Sequence, residues 1–283
     1  MKTLTALVLA IGCSAAWAQT PATNPMPDGS RDMYVGLGAL SGPRYEGADS
    51  RKVSALPVLQ VQWSNGLFIS GASAGMHLSA SPSVEFGPLV ALQLRRDERG
   101  SGTGADGIGV NSPSLLPIST DARSMTGGPL AGIHPIGTRL LGGGFFNVYL
   151  EPRWRLASSL LYGAGNERNG ALLDLGLQRL AAAPGQHHSL SLSTGVTLAN
   201  RNYNQAFFGI RADEAVRSGR RAYDAAGGFK DAHLGVRWNW TLSPSWMLAS
   251  NLQATRLLGS ARNSPLAERP ANLTVSTAIA YRF

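Results

Sequence analysis

The chain has 283 residues, of which 43% are hydrophobic and only 15% are charged, whereas a soluble globular domain carries about 25% charged residues. Its net charge of +8 comes from arginines scattered singly along the chain, without the basic patch that would favour a nucleic-acid partner. The single cysteine, Cys13, leaves the rest of the chain without disulfides, cysteine metal sites or thiol catalysis.

The N-terminus has the three parts of a secretory signal peptide. Lys2 supplies the charge, an apolar run follows from Leu4 to Ile11, and Ala16-Trp17-Ala18 has the A-x-A form of a cleavage site. We therefore predict a signal peptide over residues 1–18, cleaved near Ala18. The alternative is a lipoprotein signal that ends before Cys13, which the residues fit less well.

The next segment, residues 19–32, is rich in proline, threonine and asparagine, and this composition predicts a disordered periplasmic leader. Beyond it no run of 18 apolar residues occurs, so a spanning helix is excluded. Low charge without such a helix favours the other structure that can cross lipid, a closed β-barrel. We predict that residues 33–283 form one barrel in the outer membrane of a Gram-negative bacterium.

Segments of about ten residues with alternating apolar and polar side chains predict the barrel strands. In chain order they are 33–41, 53–63, 67–79, 84–95, 137–150, 153–163, 171–178, 189–198, 233–242, 245–258 and 272–283. The last segment is the clearest, because its odd-numbered residues from Leu273 to Phe283 suit lipid and its even-numbered residues suit a polar lumen.

The connections between these segments are short on one side and long on the other, as in outer-membrane barrels. Asn65-Gly66 and Ser243-Pro244-Ser245 predict tight turns. Long polar or glycine-rich connections lie at about 97–135, 200–227 and 259–271.

The number of readable strands is eleven, whereas single-chain bacterial barrels have an even number. We predict an all-β, transmembrane, antiparallel up-and-down barrel of twelve strands, with the missing strand within 103–135. Ten strands is the alternative, if 33–41 does not span. A soluble antiparallel sandwich would show the same alternation but would expose more charge.

The terminal pattern Ala280-Tyr281-Arg282-Phe283 resembles the aromatic signature by which bacterial outer-membrane barrels are recognised for insertion. This resemblance implies that Tyr281 and Phe283 form the insertion signal and that the barrel assembly machinery is a partner.

Further motifs, in order and spacing, resemble the MltA-interacting protein (MipA)/OmpV family over nearly all of the chain. The matching residues are Tyr34–Gly38 with Gly42–Gly47, Leu56–Leu59, Phe86–Leu89 with Arg95–Glu98, Phe207–Ile210 with Ala215, Ser218, Gly219 and Tyr223, and Leu257–Ser260 with Ser264–Leu266. The resemblance implies an outer-membrane scaffold that holds a murein hydrolase and a murein synthase on the periplasmic side. The stretch 99–122 departs from the family pattern, since it is longer and richer in glycine and proline.

Two motifs could suggest catalysis or metal binding. Gly71–Gly75 matches G-x-S-x-G, but it lies in a strand-like segment and lacks the following helix that a hydrolase serine needs. His187 and His188 have no third ligand nearby in sequence, so a solvated turn is favoured over a metal site. We predict that the chain is not an enzyme and needs no cofactor.

Arginines supply the remaining candidate sites. Arg237 and Arg282 fall on predicted lumen faces, and a cationic lumen would make an anion-leaning channel. Arg217, Arg220 and Arg221 could contact a partner or the phosphates of lipopolysaccharide, which guanidinium groups bind well, although a solvated loop helix is the favoured interpretation. Scaffold, channel and surface adhesin therefore remain open, in that order, with outer-membrane lipid and lipopolysaccharide as the expected surroundings.

Overall fold

The fold is a closed, twelve-stranded antiparallel β-barrel. The computed structural model describes residues 33–78, 81, 83–101, 128–151, 153–163, 170–181, 185 and 187–283. The predicted signal peptide and leader lie outside these residues. Within the described part of the chain, no helix is long and apolar enough to cross a membrane.

The described elements are short helices and antiparallel strands. The strands are β1 (Tyr34–Pro43), β2 (Arg51–Gln62), β3 (Leu67–Ser70), β4 (Ser73–Met76), β5 (Val84–Gln93), β6 (Arg96–Asp97), β7 (Gly100–Ser101), β8 (Arg139–Glu151), β9 (Trp154–Gly163), β10 (Gly170–Ala181), β11 (His188–Ala199), β12 (Gly228–Ser243), β13 (Trp246–Leu257) and β14 (Ala271–Arg282). The helices are α1 (Arg201–Phe208), α2 (Ala212–Ser218) and α3 (Gly259–Arg262).

The barrel strands follow one another in the order β1-β14-β13-β12-β11-β10-β9-β8-β5-β4-β3-β2, while β6 and β7 form a separate two-stranded sheet. The first and last strands close the ring, with a register that runs from Tyr34 opposite Arg282 to Ser41 opposite Val275. This arrangement confirms the predicted up-and-down barrel and its twelve strands.

The predicted place of the twelfth strand was wrong. The segment 67–79, predicted as one strand, is a hairpin of two four-residue strands, β3 and β4, which turns at Gly71 with a φ of 57°. The barrel closes without a strand from 103–135; residues 102–127 lie outside the described residues, and 128–135 form turns. Segment 33–41 belongs to β1 and takes part in the barrel.

The same hairpin explains the G-x-S-x-G motif, because Gly71 and Ala72 form its tip while Ser73, Ala74 and Gly75 lie in β4. Ser73 is buried, and its hydroxyl donates to the carbonyl oxygen of Ser70 at 2.8 Å. The motif therefore serves a tight turn in the barrel wall.

The outward face of the barrel is apolar. On β14, Leu273, Val275 and Ile279 are exposed, whereas Ser276 and Ala280 are buried, so the predicted alternation is confirmed. Other strands present Leu37, Val53, Leu140, Phe146, Leu160 and Leu234 to the outside. An apolar surface of this extent suits the hydrocarbon of a bilayer and not water.

The two ends of the barrel differ in their connections. At the short-turn end, residues 63–66 and 244–245 join neighbouring strands, and exposed aromatic side chains gather there: Trp63, Trp240, Trp246, Tyr281 and Phe283. At the long-loop end, the described parts of four connections fold into a cap: 44–50, 94–101 with 128–138, 200–227 and 258–270. Aromatic residues at one rim are typical of a membrane interface.

The cap has its own apolar core. Tyr45, Leu130, Ile210 and Leu266, one from each of these four connections, are buried together. Burial and the nearby charge of Glu268 raise the pKa of Tyr45 to about 12. The described parts of the long connections thus pack together at the long-loop end of the barrel.

Among the residues that the structure describes, one strand edge in the barrel wall lacks a strand partner. Because the β3–β4 hairpin is short, β2 pairs with β3 only from Gln60 to Gln62. The carbonyl oxygen of Leu59 accepts from the backbone N–H of Gly71, so odd-numbered residues of β2 direct their backbone groups to that side. The nitrogen of Pro57, which carries no hydrogen, therefore faces the open edge, where proline is tolerated.

Candidate functional site: a cavity inside the barrel

The barrel encloses a cavity of about 380 Å³. Side chains from β2, β3, β5 and β8–β13 line it, together with cap residues, but among the described residues none from β1, β4 or β14 does. On that side Tyr34, Val58, Ala278 and Ala280 pack against one another. The interior is therefore filled along the closing seam and open beside it.

One wall of the cavity is apolar. Leu89, Leu141 and Leu161 form a buried cluster on β5, β8 and β9, and Phe68 and Phe145 pack against it. The two phenyl rings meet edge to face with centroids 5.8 Å apart. Sequence analysis missed this wall, because inward and outward residues of these strands are both apolar and the period-two signal disappears.

A row of direct cross-strand partners leads from this wall to a polar one. Phe145 lies opposite Ser159, Ser159 opposite Asp174, Asp174 opposite Thr197, and Thr197 opposite Asp231. Because side chains on one row share one face of the sheet, the aromatic ring and the carboxylates face the same interior.

The polar wall contains a buried network of ion pairs on β10, β11 and β12. The ammonium group of Lys230, whose side chain is 5% exposed, lies 2.7 Å from Glu46 Oε1 and 2.8 Å from Asp231 Oδ2. The hydroxyl of Thr197 lies 3.0 Å from Asp174 Oδ2 and 3.2 Å from Asp231 Oδ1. Such pairing offsets the cost of removing these charges from water.

The ring of His233 completes the network. Its Nδ1 lies 3.3 Å from Asp231 Oδ1 and its Nε2 lies 3.9 Å from Asp174 Oδ2. The Asp174 side chain is 43% exposed, compared with 5% for Asp231. Asp174 is therefore the carboxylate of this wall that is more open to a solute in the cavity.

Helix α1 roofs the cavity at the long-loop end. Its N-cap is Asn200, whose side-chain oxygen accepts from the backbone N–H of Tyr203 at 2.9 Å and of Ala171 on β10 at 3.0 Å. The guanidinium of Arg96 donates to the carbonyl oxygens of Ala206 and Phe207. These bonds fix both ends of the helix above the interior.

Tyr203 and Phe207 bring stacked rings to the underside of the roof, with centroids 4.5 Å apart. Burial and the negative charge of Glu46 raise the pKa of Tyr203 well above its ordinary value. Its phenol therefore stays protonated at physiological pH and retains a hydrogen-bond donor for the cavity.

Small residues keep the middle of the cavity open. The next row of partners includes Ala157, Gly176 and Gly195 before it reaches His233. A Cβ atom on Gly176 would meet only the carbonyl oxygen of Thr194, at 3.5 Å, whereas one on Gly195 would lie 2.5 Å from His233 Nε2. Position 176 thus borders empty space that a larger side chain could fill.

Charges of both signs line the cavity. Among the described lining residues, four are acidic and four are basic: Glu46, Glu85, Asp174 and Asp231, and Arg96, Arg155, Lys230 and Arg237. Glu85 is buried nearer the short-turn end, where its carboxylate accepts from Asn147 Nδ2 at 3.3 Å. The lining therefore carries no formal excess of positive charge.

The arginines predicted for the lumen have different positions. Arg237 lines the cavity. Arg282 ends β14 at the short-turn end and is exposed, outside the cavity lining. Of the predicted insertion signal, Tyr281 packs edge to face on Trp246 with centroids 5.2 Å apart, and Phe283 is exposed beside the last strand.

The three arginines predicted for loop contacts lie in or just after α2 in the cap. Arg217 forms an ion pair with Asp213 at 3.0 Å. Arg220 is directed inward, and its guanidinium donates to the carbonyl oxygens of Pro265 and Pro129. Arg221 is exposed. Their contact with a partner or with lipopolysaccharide stays a prediction.

A metal site finds no support in the described residues, which contain no suitable group of three or more His, Cys, Asp or Glu. The prediction that His188 lies in a solvated turn was wrong. His188 begins β11, where its ring packs on Trp238 and Trp240. Stacking on two indole rings explains this histidine without a ligand.

Comparison with known proteins gives one family and several barrels. A family model described as MltA-interacting protein MipA matches residues 35–283. A search of curated proteins found no match. The solved structures include the NanC porin, at 8% identity over 89% of this chain and 100% of that chain, with a TM-score of 0.48.

Two proteins of Pseudomonas putida are also among them. An outer membrane channel from strain F1 has 10% identity over 93% of this chain and 99% of that chain, with a TM-score of 0.44. The toluene transporter TodX has 10% identity over 92% of each chain, with a TM-score of 0.34. Identities and TM-scores this low do not indicate which solute or partner this chain binds.

Proposed function

The chain belongs to the MltA-interacting protein MipA family, and we propose that it is an outer-membrane barrel through whose interior a small solute passes. The observation that carries this proposal is the extent of the cavity. On β5 alone, lining residues run from Glu85 to Gln93, which is roughly 26 Å along the strand. At the usual strand tilt this is roughly 20 Å along the barrel axis, most of the apolar band of about 25 Å.

The lining supports passage rather than a purely structural interior. Small barrels fill their lumen with side chains, whereas here Ala157 and Gly176 leave the centre open. Since acidic and basic lining residues are equal in number, we expect weak selectivity between small inorganic ions. The anion preference inferred from Arg237 and Arg282 then depends on where each charge lies along the lumen. The reversal potential in a salt gradient measures this preference.

The direct test uses the chain refolded into planar bilayers. Small, discrete current steps that recur from one preparation to the next support the proposal. Insertion is checked independently by heat-modifiable gel migration and by protection from protease in liposomes. A barrel that inserts correctly yet gives no current, and passes no small sugar or amino acid in a liposome-swelling assay, contradicts it.

A second proposal follows from the family description, which names an interaction with MltA. The short-turn end and the segment before β1 would then offer the surface for a murein hydrolase or synthase. Tagged chain is crosslinked in cells and recovered from detergent extracts. Enrichment of a murein enzyme, relative to an unrelated barrel, supports the scaffold; background recovery overturns it.

The location completes the proposal. We propose cleavage near Ala18, recognition of Tyr281 and Phe283 by the assembly machinery, and residence among outer-membrane lipid and lipopolysaccharide. Fractionation should place the chain in the outer membrane, with Gln19 as the first residue. An adhesin role, carried by the cap, and the absence of catalysis stay predictions.

A further inference from the structure

We infer that the cavity binds a small amphipathic molecule with an apolar body and a cationic end. The two walls of the cavity are chemically unlike, and each fits one part of such a molecule. The inference rests on the proposed function only in that a solute must reach the cavity. Binding can be measured without a membrane, so the two can fail separately.

The apolar wall is the place for the body of the ligand. Phe68, Leu89, Leu141, Phe145 and Leu161 contribute a continuous hydrocarbon surface on the inward side of the barrel. None of them offers a hydrogen bond to a polar solute. A hydrophilic solute would lose water there without compensation, whereas an aryl group or a short alkyl chain gains from the contact.

The polar wall faces this surface across the lumen. In the ring of twelve strands, β3 and β11 are six positions apart and β5 and β12 are five apart, so each pair lies on nearly opposite sides. Phe145 and Asp174 are closer, two strands apart on one row, which is roughly 10 Å along the sheet. A molecule of the size of an arylalkylamine spans this separation.

The charge of the polar wall favours a cation. Three carboxylates, those of Glu46, Asp174 and Asp231, surround one ammonium group, that of Lys230, and the ring of His233. Lys230 contacts Glu46 and Asp231, while Asp174 has the Thr197 hydroxyl at 3.0 Å and the His233 ring at 3.9 Å. A bound cation near Asp174 balances the excess of negative charge in a site of low dielectric.

The roof adds a second feature that suits this ligand. The rings of Tyr203 and Phe207 lie over the polar wall, and Lys230 Nζ is already 5.9 Å from the centroid of the Tyr203 ring. The Phe207 ring likewise has the Arg96 guanidinium over it, at 5.5 Å from the centroid. The roof therefore excludes water above the polar wall, which strengthens the attraction between a bound cation and Asp174.

The test compares three probes that share one apolar body and differ in the polar end: benzylammonium, benzyl alcohol and benzoate. Purified full-length barrel in detergent is titrated with each, and binding is followed by calorimetry or by ligand NMR. We expect benzylammonium to bind at least about tenfold more tightly than the other two. Methylammonium, which has the charge without the body, should not bind measurably. Equal affinities for all three, tighter binding of benzoate, or equal binding of methylammonium overturns the inference.

Variants tie the binding to the site. Asp174→Asn removes the charge at nearly constant shape and should weaken benzylammonium about tenfold while leaving benzyl alcohol unchanged. Asp224→Asn, in the exposed part of the cap, is the matched control and should change neither. If Asp174→Asn does not refold, Gly176→Leu, whose side chain would enter the cavity two residues farther along β10, should abolish binding of benzylammonium. The inference is overturned if whichever of Asp174→Asn and Gly176→Leu folds binds benzylammonium as tightly as the parent chain does.

Discussion

The guanidinium of Arg220 lies 2.9 Å from the carboxylate of Glu268 and joins two connections of the cap, 200–227 and 258–270. The same side chain donates to the carbonyl oxygen of Pro265 at 2.7 Å and to that of Pro129 at 3.2 Å. One arginine thus ties together three connections that are far apart in sequence.

Arg220→Ala should loosen the cap without opening the barrel. Hydrogen bonds from charged groups contribute about 1.5–3 kcal/mol each to stability, so amide hydrogens of residues 128–138 and 259–268 should exchange faster. Hydrogen exchange with mass spectrometry measures this directly. Arg221→Ala, at the exposed neighbouring position, should leave exchange unchanged; equal effects of the two substitutions would count against the tie.

The strands could be predicted from sequence wherever one face is apolar and the other polar. For β14 the segment 272–283 predicted the strand and its two faces, because Ser276 and Ala280 alternate with Val275 and Ile279. The β3–β4 hairpin could not be predicted in this way. Its strands have four residues each, too few for a periodic signal, so the Ser70-Gly71 dipeptide at its turn is easily taken for part of one longer strand.

The cavity was harder to predict than the strands. Arg237 was predicted for the lumen and lines the cavity, as does Asp174, which lies within the predicted strand 171–178. Leu141 and Leu161 face inward, but in sequence they look the same as lipid-facing residues such as Leu140 and Leu160. The hydrogen bonds of Arg220 join segments that are distant along the chain, and a single sequence carries no signal for such contacts.

The cap should also weaken on acidification, through Glu214. Burial opposes ionisation of this carboxyl, but hydrogen bonds from the backbone N–H groups of Arg211 and His134 and from the His134 ring outweigh it and hold the pKa of Glu214 below its ordinary value of 4.5. Since the folded pKa is depressed, the stabilisation is complete above about pH 4.5 and is lost as pH falls through the folded value.

Acidification also affects Asp213, where desolvation is outweighed by the hydrogen bond and charge of Arg217, so that the pKa of this carboxyl is lowered too. Glu214→Gln therefore isolates the contribution of Glu214. Exchange rates of residues 128–138 and 211–219, corrected for intrinsic chemistry, should rise on acidification in the parent chain. In the glutamine variant they should rise less. Identical pH profiles would show that Glu214 does not control the cap.

The open edge of β2 can be tested with proline at two adjacent positions. Ala55 directs its N–H to the same side as the ring nitrogen of Pro57, where the described residues offer no strand partner, whereas Ser54 directs its N–H to β1. Ser54→Pro removes a ladder hydrogen bond within lipid, which costs several kcal/mol, and should abolish refolding. Ala55→Pro should refold normally by heat-modifiable gel migration; failure of both variants would mean that this edge is paired.

The central claim is that solute passes through the interior, and the conductance of two leucine variants tests it most directly. Gly176→Leu places a side chain in the cavity, where a Cβ meets only one backbone oxygen, at 3.5 Å. Gly142→Leu makes the same change on the outward face of β8, where nothing lies within 4 Å. In planar bilayers we predict current steps in the parent chain and in Gly142→Leu, and smaller or absent steps in Gly176→Leu. Steps of equal size in all three would contradict a path through this cavity.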